Sequence, residues 1–202
     1  VEVRLEGGPL DDELFIARAR TGDQNAFAKL VRRYQEVAFR TAYVILADPD
    51  GAADTAQEAF IKAFRALPDF DPKRPFKPWL LRIVVNEALN LKKPTRRRRE
   101  LALRLREATV RGDAAPSPEA TVLARERLRV LADALLELPA ADRAVVALRY
   151  FQNLGEAELA EVLGFPRGTV KSRLHQALGR LREIVLGRQP GLRWVYGQNG
   201  GR

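Results

Sequence analysis

Between Arg167 and Arg180 the chain carries Lys171, Ser172, Arg173, His175 and Gln176, a stretch dense in hydrogen-bond donors with no carboxylate before Glu183. Side chains of these types bond base edges and phosphate oxygens. Val170, Leu174, Ala177, Leu178, Leu181 and Val185 recur among them at helical spacing, which predicts a helix with one apolar stripe and a donor-rich face opposite. Just upstream, Leu159, Val162 and Leu163 mark one face of a shorter acidic helix, and Gly164-Phe165-Pro166 gives a turn too short to be a linker. A short helix, a glycine turn and a second helix with donors in its first turns is the layout of a helix-turn-helix. An amphipathic hairpin with a solvated basic face has the same pattern. The crowding of donors in the early turns favours DNA.

A second constellation lies between Phe70 and Asn90. Phe70, Phe76 and Trp79 alternate with Lys73, Arg74, Lys77 and Arg82, and Asn86 and Asn90 continue one helix face. Rings that stack on unpaired bases, interleaved with cations that follow phosphates, suit single-stranded nucleic acid. The alternative is a core aromatic set flanked by solvated charges. Trp79, beside Leu80 and Ile83 at the start of an amphipathic helix, is expected in the core.

A third group, Asp54, Gln57 and Glu58, shares the outer face of a helix at spacings of three and four. A carboxylate pair there admits acid–base or metal chemistry, a solvated acidic face, or a docking face for a basic partner. No further metal-binding pattern accompanies it.

Composition narrows the classes. The 202 residues carry a net charge of +9 with no Cys, no Met and one His. Disulfides, thiolate metal sites, cysteine nucleophiles and histidine clusters are therefore excluded, and a polyanionic partner is favoured. His175, without a second ligand, is expected as a polar residue on a DNA-facing helix. No apolar run is long enough to span a bilayer, and VEVRLEGGPLDDELF lacks the form of a signal peptide, so a cytoplasmic protein is expected.

These groups must be positioned by helices, for no alternating strand pattern occurs. The spacing predicts a short helix over 10–20 ended by Thr21-Gly22. A long one follows after the N-cap Asp23, with Phe27, Leu30, Val31, Tyr34, Val37, Ala38, Thr41, Val44 and Ile45 inward. Asp48-Pro49 opens a third to about Leu67 with Ala53, Ala56, Phe60, Ala63 and Phe64 as its inner stripe. Prolines 68, 72 and 75 make 68–77 an exposed irregular loop, and a fourth helix runs from about Pro78 to Lys93. Residues 92–112 hold nine Lys or Arg against two Glu, followed by Gly-Asp-Ala-Ala-Pro-Ser-Pro, the composition of a linker. Ser117-Pro118 caps a helix with Val122, Leu128, Leu131, Leu135 and Leu136 as core positions, and Pro139 restarts the chain before the helix-turn-helix. The expectation is all-α: two small helical domains, 1–93 and 117–189, joined by a flexible basic linker over 94–116, with a tail over 190–202 that contains Leu192, Trp194, Val195 and Tyr196.

Two segments resemble one family. DTAQEAFIKAFRALPDFDPKRPFKPWLLRIVVNEALN resembles the promoter-melting domain of bacterial sigma factors, and LPAADRAVVALRYFQNLGEAELAEVLGFPRGTVKSRLHQALGRLRE resembles their upstream-element domain. Their order on a short linker, without an intervening helical domain, is similar to the extracytoplasmic-function group of the sigma-70 family. The resemblance covers roughly residues 10–186 and implies the following. Asp54, Gln57 and Glu58 meet the clamp helices of the polymerase β′ subunit, and the β flap is a further contact on the core enzyme. The loop from Pro68 to Trp79, with Phe70, Lys73, Arg74, Phe76 and Lys77, captures an unstacked base of the −10 element, and Arg82 and Asn86 touch the same strand. The linker threads toward the active-site cleft and RNA exit path. Arg167 through Gln176, Thr169 among them, read the −35 element: Lys171, Ser172, His175 and Gln176 contact the groove, with Arg173 and Arg180 on phosphates. An anti-sigma factor is a further expected partner. Cofactor, metal, small-molecule substrate and covalent catalysis are not expected. An autonomous helix-turn-helix repressor or activator is the rival from another class, although it needs neither the linker nor the acidic face. A helical nuclease using Asp54 and Glu58 for metal ranks below both. The tail has no family counterpart.

Overall fold

The computed structural model describes residues 9–91 and 118–188, and all regular structure within them is helical. The expected linker and tail lie outside the described residues. The first half contains α1 (Pro9–Arg20), α2 (Gln24–Leu46), α3 (Pro49–Ala66) and α4 (Phe76–Asn90). The second contains α5 (Pro118–Glu137), α6 (Ala140–Val146), which runs on as one wider π turn over Ala147–Phe151, then α7 (Glu156–Leu163) and α8 (Arg167–Arg188).

The helix boundaries have local causes. Asp23 Oδ1 accepts the Ala26 N–H at 3.0 Å, satisfying one of the free donors at the start of α2, while Arg18 Nε donates to Asp23 Oδ2 at 2.9 Å. The hydrogen bond to Ala26 and the neighbouring guanidinium hold the Asp23 carboxyl below the usual carboxylate range. At the other end of α2, Ala47 turns left-handed (φ 58°) and its N–H returns to the Tyr43 carbonyl at 2.8 Å. Pro49 then starts α3 with φ already set. The turn between α7 and α8 is made by Gly164 at φ 67°, where a side chain would strain the backbone. Glu158 accepts the Gly155 N–H at 2.8 Å and fixes the start of α7.

Three apolar clusters hold the helices. The first joins α1 to α4 through Leu30, Tyr34, Ala38, Phe60, Leu67, Leu80 and Val84, and takes in Leu136 of α5. Tyr34 donates to Asp12 Oδ2 at 2.5 Å inside it; burial, and then the adjacent carboxylate, push its phenol far above the ordinary value. The third cluster packs α5, α6 and α8 through Leu135, Leu138, Val146, Ala177 and Leu181. The second is built by both halves together: Val37, Ile45, Leu81, Val85 and Ala88 meet Ala144, Leu148, Leu154, Leu159, Val162 and Val170. The two expected domains therefore share a core. A fully buried Leu or Val contributes roughly 1.5–3 kcal/mol, so this shared cluster is a substantial bond between them.

Four details differ from the sequence expectation. The inward register of α3 is Ala52, Thr55, Ala56, Ala59, Phe60 and Ala63, which leaves Ala53 exposed and Phe64 only partly covered. Leu131 is 41% exposed because α5 buries Ala132, Ala134, Leu135 and Leu136 instead. Leu67–Asp69 forms a short 3₁₀ turn ahead of the irregular segment, and α4 begins two residues early, at Phe76. Phe70 and Phe76, expected on an exposed loop, are 3% and 4% exposed.

Candidate nucleic-acid interface

Helix α8 is seated by Val170, Ala177 and Leu181, all buried. Because these recur at intervals of seven and four residues, the opposite face is left to solvent. Arg167, Lys171, Ser172, Arg173, His175, Gln176 and Arg180 are all exposed there, and Thr169 is half-covered. Three of them are already braced. Ser172 Oγ donates to the Thr169 carbonyl at 2.9 Å, and the Arg173 guanidinium lies 5.2 Å from the centre of the Phe165 ring, a cation–π contact that anchors the turn. Arg180 forms an ion pair with the buried Asp142 of α6. It ties α8 to α6 as well as facing solvent, a role its sequence position did not reveal. The exposed row is an array of donors in the first three turns of a helix, suited to base edges and phosphates.

The 70–77 segment is ordered by a small turn. Asp71 Oδ1 accepts the Lys73 N–H at 3.0 Å and the Asp71 carbonyl accepts the Arg74 N–H at 3.0 Å. Beneath it Phe70, Phe76 and Trp79 form one ring cluster, with centroids 4.7–5.8 Å apart. Trp79 is half-buried and packs against the first core cluster, the side its place in the helix suggested. Phe70 and Phe76 join it there, so in this arrangement neither ring offers a free face for a base. They support the segment, while Lys73 and Arg74 project from it. Aromatics interleaved with cations carry the same sequence signal whether the rings stack on a ligand or on one another, so spacing alone did not separate the two. Arg82 and Asn86, four residues apart on α4, are both exposed on one face.

Lys77 stands apart from these. Its ammonium donates to the Gln152 carbonyl at 2.9 Å in the second half of the chain. Burial pushes its pKa below the ordinary lysine value, partly offset by the Glu158 carboxylate. Arg74 pairs with Glu161 of α7. The buried Arg143 of α6 donates from Nε to the Ile45 carbonyl of α2 at 2.9 Å, and from Nη1 to the carbonyls of Leu136 and Leu138 at 3.0 and 2.9 Å. Neither Arg143 nor Glu161 was singled out by the sequence, since both contacts join residues more than 80 positions apart.

On the far side of the first half, Asp54 and Gln57 are exposed and Glu58 is half-exposed, 3.9 Å from Lys62. They sit together as the spacing implied. Gln57 also lines a groove of about 800 Å³ between α2 and α3, walled by Phe27, Val31, Phe39, Ile61 and Phe64. An acidic ridge beside an open apolar groove has the composition of a protein-docking surface. Among the described residues no group of three or more His, Asp or Glu is placed to hold a metal ion, and no helix is long and apolar enough to cross a membrane.

Comparison with known proteins adds independent support. Residues 30–99 match the family model for Sigma-70 region 2, and residues 128–181 match Sigma-70, region 4. The chain is 33% identical over 176 residues to the ECF RNA polymerase sigma factor SigW of Bacillus subtilis, covering 83% of this chain and 93% of that protein. It is 35% identical over 176 residues to the ECF RNA polymerase sigma-E factor of Escherichia coli, covering 83% and 91%. Among solved structures it is similar to CnrH in complex with the cytosolic domain of CnrY, with a TM-score of 0.62, 28% identity, and 87% and 97% of the two chains covered. The fold is shared with the sigma factor RpoE of Bartonella quintana, solved with the anti-sigma factor NepR, at a TM-score of 0.56 and 21% identity over 79% and 96% of the chains. With an exposed donor helix, an ordered cationic segment and both region models in the expected order, the chain belongs to the sigma-70 family of RNA polymerase sigma factors, in its extracytoplasmic-function group.

Proposed function

We propose that α8 reads the −35 element of a promoter while the Lys73–Arg74 segment and the Arg82–Asn86 face of α4 hold the separated −10 strand. The observation that carries this reading is the division of α8 into a buried apolar face and an exposed row from Arg167 to Gln176. Lys171, Ser172, His175 and Gln176 are assigned to base edges, Arg167 and Arg173 to phosphates. Arg180 adds a phosphate contact only beside its pairing with Asp142. Lys77 and the supporting rings Phe70 and Phe76 shape the −10 site.

Strand opening then needs no covalent chemistry by this chain. Phosphate and base contacts offset an unstacking cost of a few kcal/mol per step. Asp54, Gln57 and Glu58 dock on the polymerase core, and the groove beside them extends that surface. Work on DNA with polymerase places the protein in the cytoplasm. A protein that holds the sigma factor inactive is a further partner, a reading supported by the similar RpoE having been solved with an anti-sigma factor.

Run-off transcription with core polymerase on genomic fragments tests the whole reading. Defined transcripts are expected only when the chain is added, and Asp54→Ala, Gln57→Ala and Glu58→Ala together should abolish both transcription and core pull-down while leaving the helical circular dichroism unchanged. Tight unaided binding to a palindromic operator, with no transcript from core enzyme, would instead support a stand-alone repressor.

A further inference from the structure

Gly179 stands in the interior of α8, where glycine is the least favourable residue after proline because ordering it costs the most backbone entropy. Nothing within the chain asks for it. Its backbone is right-handed helix, and a Cβ built there would meet no atom within 4 Å. The other glycines among the described residues have internal reasons or stand at helix ends. Gly22 and Gly164 turn left-handed, Gly51 lies against the Asp48 carboxylate, Gly155 precedes α7 as its cap, and Gly168 and Gly187 belong to the first and last turns of α8. The reason for Gly179 therefore lies outside the folded chain.

Its place on the helix says what comes near. At 3.6 residues per turn, Gly179 lies roughly 180° from the buried side set by Val170, Ala177 and Leu181, and within about 40° of Ser172 and His175 on the donor face. It is exposed, one turn beyond His175, and the next residue is the exposed Arg180. Further along the same line stands Glu183, an exposed carboxylate about 6 Å beyond Gly179 that repels phosphate. Donors before it, a guanidinium beside it and a carboxylate after it place Gly179 where a duplex would leave the helix. The Cα atoms of a helix lie about 2.3 Å from its axis and its side chains reach about 5–6 Å, so a bare position admits a surface about 3 Å closer. We propose that Gly179 is a close-approach position for duplex DNA: the sugar–phosphate wall of the groove comes against the bare backbone of α8, and this sets how deeply the row from Lys171 to Gln176 reaches the base edges. Gly179 reads no base itself; it is a positioning residue. Its role rests on the assignment of α8 to the −35 element.

Two readouts on the same variants test this: thermal unfolding of the full-length chain, and binding of the chain assembled with core polymerase to the genomic fragment that gives the strongest run-off transcript. Gly179→Ala should raise the unfolding temperature by about 2–4 °C, because a helix interior gains a methyl in open space. The same methyl should weaken promoter binding about three- to tenfold, as atoms added to a packed contact do, and Gly179→Leu should weaken it further. A glycine kept for the fold would not move the two readouts in opposite directions, so a fall in unfolding temperature for Gly179→Ala would overturn the proposal. Gly187→Ala adds a methyl in open space eight residues further along and should leave promoter binding unchanged. An equal loss there would trace the effect to stiffening of the helix and overturn close approach. If both Gly179 variants bind like the parent while Lys171→Ala binds more weakly, close approach fails and the −35 assignment stands. If neither the Gly179 variants nor Lys171→Ala lose binding, the assignment of α8 fails with it.

Discussion

Arg143 on α6 reaches across the molecule to the carbonyl of Ile45 in the last turn of α2, with Nε 2.9 Å from the oxygen and Nη2 bonded to the same atom. The last carbonyls of a helix lack partners within it, and a cation there also meets the negative end of the helix dipole. One buried guanidinium thus satisfies the end of α2 and, through Leu136 and Leu138, the end of α5.

Arg143→Ala should accordingly lower stability by about 3 kcal/mol, since several buried carbonyls lose a charged donor together. Arg143→Lys should recover only part of this, because an ammonium lacks the planar fork that reaches both helix ends. Urea unfolding, read as a fall in midpoint, checks both.

Lys171→Ala and Arg180→Ala should differ in kind. Lys171 is exposed, so its loss should cost roughly 1–3 kcal/mol of −35 binding, relax preference at one base pair and leave the melting temperature unchanged. Removing Arg180 strands the buried Asp142 carboxylate, so weaker DNA binding should come with a lower melting temperature. Binding across a set of single-base promoter variants, with thermal unfolding in parallel, distinguishes them. A uniform loss over all variants for Lys171→Ala would make it a phosphate contact.

Phe76→Ala should destabilise the first half by about 3–5 kcal/mol, the usual cost of an aromatic cavity in a core. Its ring packs on Tyr34, Phe70 and Trp79. A ring whose only use were stacking on a flipped base would lose strand binding at constant stability. Chemical denaturation and single-strand anisotropy on the same variant decide between the two.

Acid should loosen the start of α2. The folded-state pKa of Asp23 lies below its ordinary value of 3.8, so the carboxylate adds stability above that value, and this is lost as pH falls toward the depressed one. Asp23→Asn keeps a capping acceptor but cannot titrate. Amide exchange at Ala26 should quicken with acid beyond its intrinsic pH dependence in the parent and not in the variant.

Much of this was legible in the chain. Helical periodicity fixed the all-α class, the glycine turn located the helix-turn-helix, and the stripe of Val170, Ala177 and Leu181 left the donor row of α8 outside. Local spacing determines which residues share a face, and here the face was enough. It was not enough at Phe70 and Phe76, because aromatic–cation alternation does not say whether a ring has a neighbour from its own chain. Nor did it place Ala53, where the stripe of α3 turns on a rotation of one residue.

Residue types and their intervals thus set the helices, the donors of α8 and the shared face of Asp54, Gln57 and Glu58 on α3, all of which depend on bonds and side chains a few positions apart. How the halves meet was decided by the tertiary structure alone. Arg143 to Ile45, Arg74 to Glu161 and Lys77 to Gln152 join positions 75 to 98 residues distant. Such contacts leave no period in the sequence, because a guanidinium or ammonium is equally at home in water until folding brings a carbonyl or carboxylate to it and removes the solvent.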